Sequence, residues 1–249
     1  MNLSAANILI TGGASGLGKA MATSLIGKAA NVIVTDKNTD QLQQLQEEFP
    51  AIKCYTADLT DYAAVEVVMA EIFKEYGKLN VLINNAGIIH SEPLLNILSR
   101  EEGKHNLENW RKTIDINLNA VFYVTSHVAE KMVKSRSKGV IINISSISSY
   151  GNMGQSAYSA SKAAINALTV TWSKELGMFG IRCVAIAPGF IDTPSTQAAL
   201  TETKIKTYKN ATPLGRLGTT AELVHAVVFI IENDFYNGTI LNLDGGLKL

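Results

Sequence analysis

The chain has 249 residues, of which 47% are hydrophobic, and its 22 Lys plus Arg balance 22 Asp plus Glu to a formal net charge of zero. This composition excludes a disordered chain and offers no electrostatic footprint for nucleic acid or an anionic membrane surface. No run of about 18 consecutive apolar residues is available to span a bilayer.

Short runs rich in Ile and Val predict strands at 7–11, 31–35, 52–56, 81–84, 140–145, 182–187 and 239–243. Between them, helical patterns predict helices at 17–28, 39–48, 61–76, 107–134, 155–177 and 220–231. The strand runs show little alternation, as strands buried on both faces do. Repeated strand–helix–strand units predict an α/β fold with a doubly wound parallel sheet of seven strands and helices on both faces. No linker-like stretch or composition shift interrupts residues 1–249, so a single domain is expected. Two connections break the rhythm: 88–106, with Pro93 and Gly103, and 190–218, with Pro194 and Pro213. Each follows the carboxyl end of a strand, where such sheets place their ligands.

The first strand runs into Gly12-Gly13-Ala14-Ser15-Gly16-Leu17-Gly18, with a helix predicted to follow. A glycine-rich turn between strand and helix lets backbone N–H groups approach a pyrophosphate. The second strand ends at Asp36, about 20 residues beyond, where a carboxylate can accept hydrogen bonds from the adenosine ribose and repel a 2′-phosphate. Asp36 therefore favours NAD over NADP, although Lys37 beside it offsets part of the repulsion. Tyr158 and Lys162 lie four apart and share one helical face. A free phenol titrates near about 10. A neighbouring ammonium and an oxidised nicotinamide would both favour the phenolate, making Tyr158 a general base in oxidation and a proton donor in reduction.

Cys54 and Cys183 are far apart, with no disulfide or metal spacing, and read as small buried hydrophobes. With no basic leader or cleavage site ahead of the first strand, they point to a reducing, cytoplasmic compartment. His90, His105, His127 and His225 show no ligand spacing and are expected at the surface or in loops; no metal is expected.

These motifs, taken in order, resemble the short-chain dehydrogenase/reductase family over the whole chain. The matching elements are the turn Thr11-Gly12-x-x-x-Gly16-x-Gly18, Asp58-Leu59, Asn84-Asn85-Ala86-Gly87, Asn117, the run 143–146, Tyr158-x-x-x-Lys162, Pro188-Gly189 and Thr193. The resemblance implies a Rossmann fold and a catalytic set of Asn117, Ser146, Tyr158 and Lys162. It implies NAD contacts from Gly12, Ser15, Gly16, Leu17, Gly18, Asp36, Asp58, Leu59, Asn85, Ala86, Gly87, Tyr158, Lys162, Pro188, Gly189, Ile191 and Thr193. Substrate contacts are expected from Ser146, Tyr158 and Gln155, and Gln155 reads equally as a helix cap. It also implies that Asn117 and a local kink hold a water linking Lys162 to solvent, and that four chains assemble as a homotetramer.

One spacing departs from the family, which usually places the serine 13 positions before the tyrosine. That spacing selects Ser145, whereas the strand motif selects Ser146, 12 residues before Tyr158. A one-residue deletion in the intervening loop is easier than a slip of the strand, which would reverse every side chain, and so favours Ser146.

The insertion ending in His105-Asn106-Leu107-Glu108-Asn109-Trp110 and the tail 231–245 resemble the type II 3-hydroxyacyl-CoA dehydrogenases, also called 17β-hydroxysteroid dehydrogenases type 10. The resulting expectation is NAD-dependent interconversion of 3-hydroxyacyl and 3-oxoacyl thioesters. Alternatives are a dehydrogenase of a steroid, polyol or cyclic alcohol, a 3-oxoacyl-carrier-protein reductase, or a non-catalytic NAD-sensing module. The complete tetrad argues against the sensor. For an acyl thioester, Ile88, Ile89, Leu94, Leu95, Phe190, Ile191 and Leu200 could wall the chain, while Lys104, Lys204, Lys206 and Lys209 meet the coenzyme A phosphates.

Overall fold

The computed structural model describes residues 1–95, 103–193, 196–197 and 201–249. Seven parallel strands form the central sheet: β1 (Asn7–Thr11), β2 (Asn31–Asp36), β3 (Ile52–Thr56), β4 (Val81–Asn84), β5 (Gly139–Ile144), β6 (Ile181–Pro188) and β9 (Ile240–Leu243). Their order across the sheet is β3-β2-β1-β4-β5-β6-β9, so the winding reverses between β1 and β4. A crevice at such a switch point is where open α/β sheets bind ligands.

Side chains alternate across the pleat into two cores. Ile8, Ile10, Val34, Ile83 and Ile142 pack with α1 (Gly16–Leu25), α2 (Thr39–Glu48) and α8 (Thr220–Glu232). Leu9, Ile33, Leu82, Ile141 and Cys183 pack on the other face with α3 (Tyr62–Tyr76), α5 (Ala120–Lys134) and α6 (Ser156–Leu176). Because both faces are covered, the strands read as continuous apolar runs in sequence. Cys183 is buried in the second core and Cys54 is half-buried; burial pushes their thiols up to about 12 and about 11, so neither is a ready nucleophile.

Local chemistry sets the helix ends. Asp61 accepts a hydrogen bond from the Ala63 amide at the start of α3. Thr219 and Glu222 form a reciprocal capping box on α8. The predicted helix 107–134 is interrupted: α4 (Leu107–Ile114) passes through a π turn, Asp115–Asn119, into α5. The connection 190–218 contains α7 (Glu202–Ala211), which strand–helix periodicity did not reveal. The short strands β7 (Ile191–Asp192) and β8 (Gly218–Thr219) pair at the base of that connection. Among the described residues, no helix is long and apolar enough to cross a membrane.

Candidate active site

The expected site residues gather at the carboxyl ends of β1, β4, β5 and β6. At β1, Gly12 adopts φ +62°, and a Cβ there would lie 2.7 Å from the Ala86 Cα. At Gly18 a Cβ would meet the Gly12 carbonyl oxygen at 2.1 Å, so only glycine lets α1 start this close to the turn. The Ser15 side chain makes no capping bond at the start of α1, and the first turn carries no acidic residue. The helix thus presents its N–H groups to an anion. On this ground the turn fits a dinucleotide pyrophosphate.

Thr11 ties that turn to β4. Its hydroxyl oxygen accepts from the Asn85 and Ala86 amides, each at 3.0 Å, and the Asn85 side chain donates to the Thr11 and Gly12 carbonyls at 3.1 and 2.9 Å. The Asp36 carboxylate accepts from the Ala14 amide at 3.2 Å and the Asn38 amide at 3.1 Å, which fixes it at the end of β2 beside the glycine turn. Asp58 is exposed; hydrogen bonds from the Thr60 amide and hydroxyl hold its carboxyl below the usual range, while Leu59 next to it is core. Leu17 is partly buried against the first core.

At β5 the two serines point to different partners. Ser145 is 2% exposed and its hydroxyl donates to the Lys162 carbonyl at 3.3 Å, behind the site. The Ser146 hydroxyl instead lies by the Tyr158 phenol and works to lower its pKa. Burial outweighs it, so the Tyr158 phenol is pushed up from its ordinary value. Lys162 is also buried; its ammonium donates to the Ile144 carbonyl at 2.7 Å and sits 5.8 Å from the Tyr158 ring centre, and burial pushes it down to about 8.

Asn117 lies buried in the π turn. Its side chain pairs with the Ile88 backbone like a second peptide, accepting from the Ile88 amide at 2.8 Å and donating to the Ile88 carbonyl at 2.9 Å. It also donates to the Ser161 hydroxyl at 3.3 Å, and Ser161 donates on to the Tyr158 carbonyl at 2.7 Å. A π turn shifts backbone carbonyls out of the i→i−4 ladder, a common device at functional sites. Ser161 and the Ile144 carbonyl escaped sequence reading; Ser161 precedes Lys162 inside the same motif, but nothing in its type reveals that it bridges two helices.

At β6, Pro188 ends the strand, and a Cβ on Gly189 would come 3.0 Å from the Asp244 Cα. Ile191 and Thr193 are buried, and the Thr193 hydroxyl oxygen accepts from the Thr196 amide at 3.0 Å. Gln155 does not cap α6 with its side chain: its amide donates to the Ser91 hydroxyl at 3.1 Å and accepts from Asn152 at 3.0 Å. Ile89, Leu94 and Leu95 are exposed, whereas Phe190 stacks on Tyr208 with ring centres 3.6 Å apart. Lys104, Lys204, Lys206 and Lys209 are exposed. Leu200 and Pro194 lie outside the described residues. His90 and His105 lie in the loop after β4, as expected of loop histidines, and both face the carboxylate of Glu92.

Comparison with known proteins places this geometry. Residues 6–204 match the family model described as short chain dehydrogenase. The 3-oxoacyl-[acyl-carrier-protein] reductase FabG of Thermotoga maritima is 38% identical, with all of both chains covered. The human 3-hydroxyacyl-CoA dehydrogenase type-2 is 35% identical over 97% of this chain and 94% of its own. A short-chain type dehydrogenase/reductase from Mycobacterium ulcerans superposes with a TM-score of 0.89 at 28% identity, covering 99% of this chain and 90% of that one. The chain, with its sheet order reversing between β1 and β4 and its ordered motifs, belongs to the short-chain dehydrogenase/reductase family of oxidoreductases.

Proposed function

We propose that this protein is an NAD-dependent oxidoreductase that interconverts 3-hydroxyacyl and 3-oxoacyl thioesters, with Asn117, Ser146, Tyr158 and Lys162 as its catalytic set. The carrying observation is that Ser146 and Tyr158 come together at the carboxyl end of β5 with a buried Lys162, whose ammonium sits 5.8 Å from the Tyr158 ring centre and donates to the Ile144 carbonyl. When bound, the nicotinamide supplies or accepts the hydride. In reduction Tyr158, kept neutral by burial, donates its proton to the substrate carbonyl oxygen, which Ser146 holds by hydrogen bond. In oxidation Tyr158 would first release its proton, and the phenolate would then accept the alcohol proton; positive charge from Lys162 and the oxidised cofactor would favour that ionisation. Asn117 holds the Ile88 backbone and the π turn in place for proton exchange between Lys162 and solvent.

Asp36, anchored beside the glycine turn, supports NAD over NADP by charge repulsion of a 2′-phosphate. The remaining nucleotide contacts are assigned to Gly12, Ser15, Gly16, Leu17, Gly18, Asp58, Leu59, Asn85, Ala86, Gly87, Tyr158, Lys162, Pro188, Gly189, Ile191 and Thr193. The thioester assignment draws on the relatives with acyl-carrier-protein and coenzyme A in their names. The working form is proposed to be a cytoplasmic homotetramer.

A substrate panel tests this reading. With NADH, acetoacetyl-CoA should show a much higher kcat/KM than a free ketone of similar size, because contacts remote from the reacting carbon add binding energy. NADPH should be the poorer cofactor. Equal efficiency for the thioester and the free ketone would move the assignment to small secondary alcohols.

A further inference from the structure

The loop after β4 is gathered by a single carboxylate. Glu92 accepts from the His90 Nε2 at 2.8 Å, from the Asn106 amide at 2.7 Å and from the Asn109 side chain at 3.1 Å. His90 lies on the chain entering the loop, Asn106 is the N-cap of α4 where the chain leaves it, and Asn109 is in the first turn of α4. The charge is well provided for: these donors hold the Glu92 carboxyl down at about 2, so it stays ionised at any ordinary pH. His105 stacks edge-on between His90 and Trp110, and its Nδ1 faces the Glu92 carbonyl at 3.2 Å.

The backbone of Glu92 makes a second connection. Its amide donates to the Gly154 carbonyl at 2.6 Å, and Glu92 and Gln155 form a parallel bridge. Gln155 adds the Ser91 contact and stands at the N-cap of α6, three residues before Tyr158. One residue therefore fastens three pieces: the exit of β4, the start of α4, which leads into the π turn of Asn117, and the start of α6, which carries Tyr158 and Lys162.

We infer that Glu92 is a positioning residue that clasps the loop after β4 to the start of α6 and so fixes the wall of the substrate cleft beside Tyr158. It touches neither Tyr158 nor Lys162, so its effect is on substrate binding more than on the chemical step. The inference rests on the active-site reading above for its kinetic consequence, while the clasp itself is testable without substrate.

Hydrogen–deuterium exchange of the full chain, followed by mass spectrometry, reads the clasp directly. Glu92→Ala should speed exchange about tenfold or more in peptides from 88–95 and 103–106 and at 154–158, and leave β5 unchanged: the charge-assisted hydrogen bonds of the loop are lost, and the backbone bridge from residue 92 to Gly154 and Gln155 then opens with the loosened loop. In steady state the same variant should raise KM for the carbonyl substrate about tenfold, with kcat within about threefold and NADH affinity by fluorescence titration within about twofold. Glu92→Gln, which keeps an acceptor for the Asn106 amide but not the charge, should fall between wild type and Glu92→Ala in both readouts. If the alanine variant does not fold, the glutamine variant decides. Unchanged exchange at 154–158, or faster exchange with an unchanged KM, overturns the inference. A wild-type enzyme that ignores thioesters but reduces another ketone defeats the thioester assignment alone, and the KM comparison is then made on that ketone.

Discussion

Ser145 and Ser146 are adjacent in sequence just past the end of β5, and the extended backbone there turns their side chains to opposite sides. Ser145 is engaged with the Lys162 carbonyl and Ser146 lies by the Tyr158 phenol. Ser146→Ala should therefore cost far more turnover than Ser145→Ala, and Tyr158→Phe should lower kcat by about 10²–10⁴ with NADH binding retained. Steady-state rates on the three variants check this, and the reverse order for the serines would restore the 13-residue spacing. Lys162 gives a second test at this scale. Its ordinary value is 10.5 and burial pushes it down to about 8 in the fold. Below about 8 the folded chain carries a buried charge that the unfolded chain keeps in water. Between about 8 and 10.5 the unfolded chain binds the proton that the folded chain has released, so this residue's contribution to stability rises with pH. Lys162→Met should be more stable than wild type near neutral pH, and its advantage should shrink as pH rises through that window. Urea unfolding across pH measures this, and an advantage that grows with pH would refute it.

At the scale of elements, the sequence carries what local patterning controls. Strands buried on both faces betray themselves as Ile/Val runs, and 7–11, 52–56 and 81–84 match their predicted limits residue for residue. The glycine turn is equally legible, because Gly12 and Gly18 are required by close backbone approach. What escaped depends on distant partners. The break in helix 107–134 falls at Asn117, where the family resemblance implied a kink, but its π form and the pairing of Asn117 with the Ile88 backbone, 29 residues away, are not reported by helical periodicity. The helix α7 buries only Ile205 among its ten residues, so it has almost no apolar stripe to announce it. The Glu92 cluster was hidden for the same reason: His90, His105 and Asn109 have no diagnostic spacing and meet only because the loop folds back on itself.

At the scale of the molecule, the two cores leave large apolar side chains outside. Phe235 is fully exposed, and Phe122 on α5 and Phe229 on α8 are about half exposed. Apolar surface of this kind fits two-fold contacts between copies of the chain, as the proposed homotetramer requires. Light scattering at micromolar concentration should show a four-chain particle, and a single-chain particle would refute that assembly. The central claim is hydride transfer to the 3-oxo carbon of an acyl thioester. It is tested most directly by supplying NADH deuterated at both positions of nicotinamide carbon 4 together with acetoacetyl-CoA, then analysing the product by mass spectrometry. The account predicts 3-hydroxybutyryl-CoA carrying one deuterium at carbon 3, formed by wild type and nearly lost in Tyr158→Phe. A product without label at that carbon, or no turnover of the thioester by wild type, would contradict it.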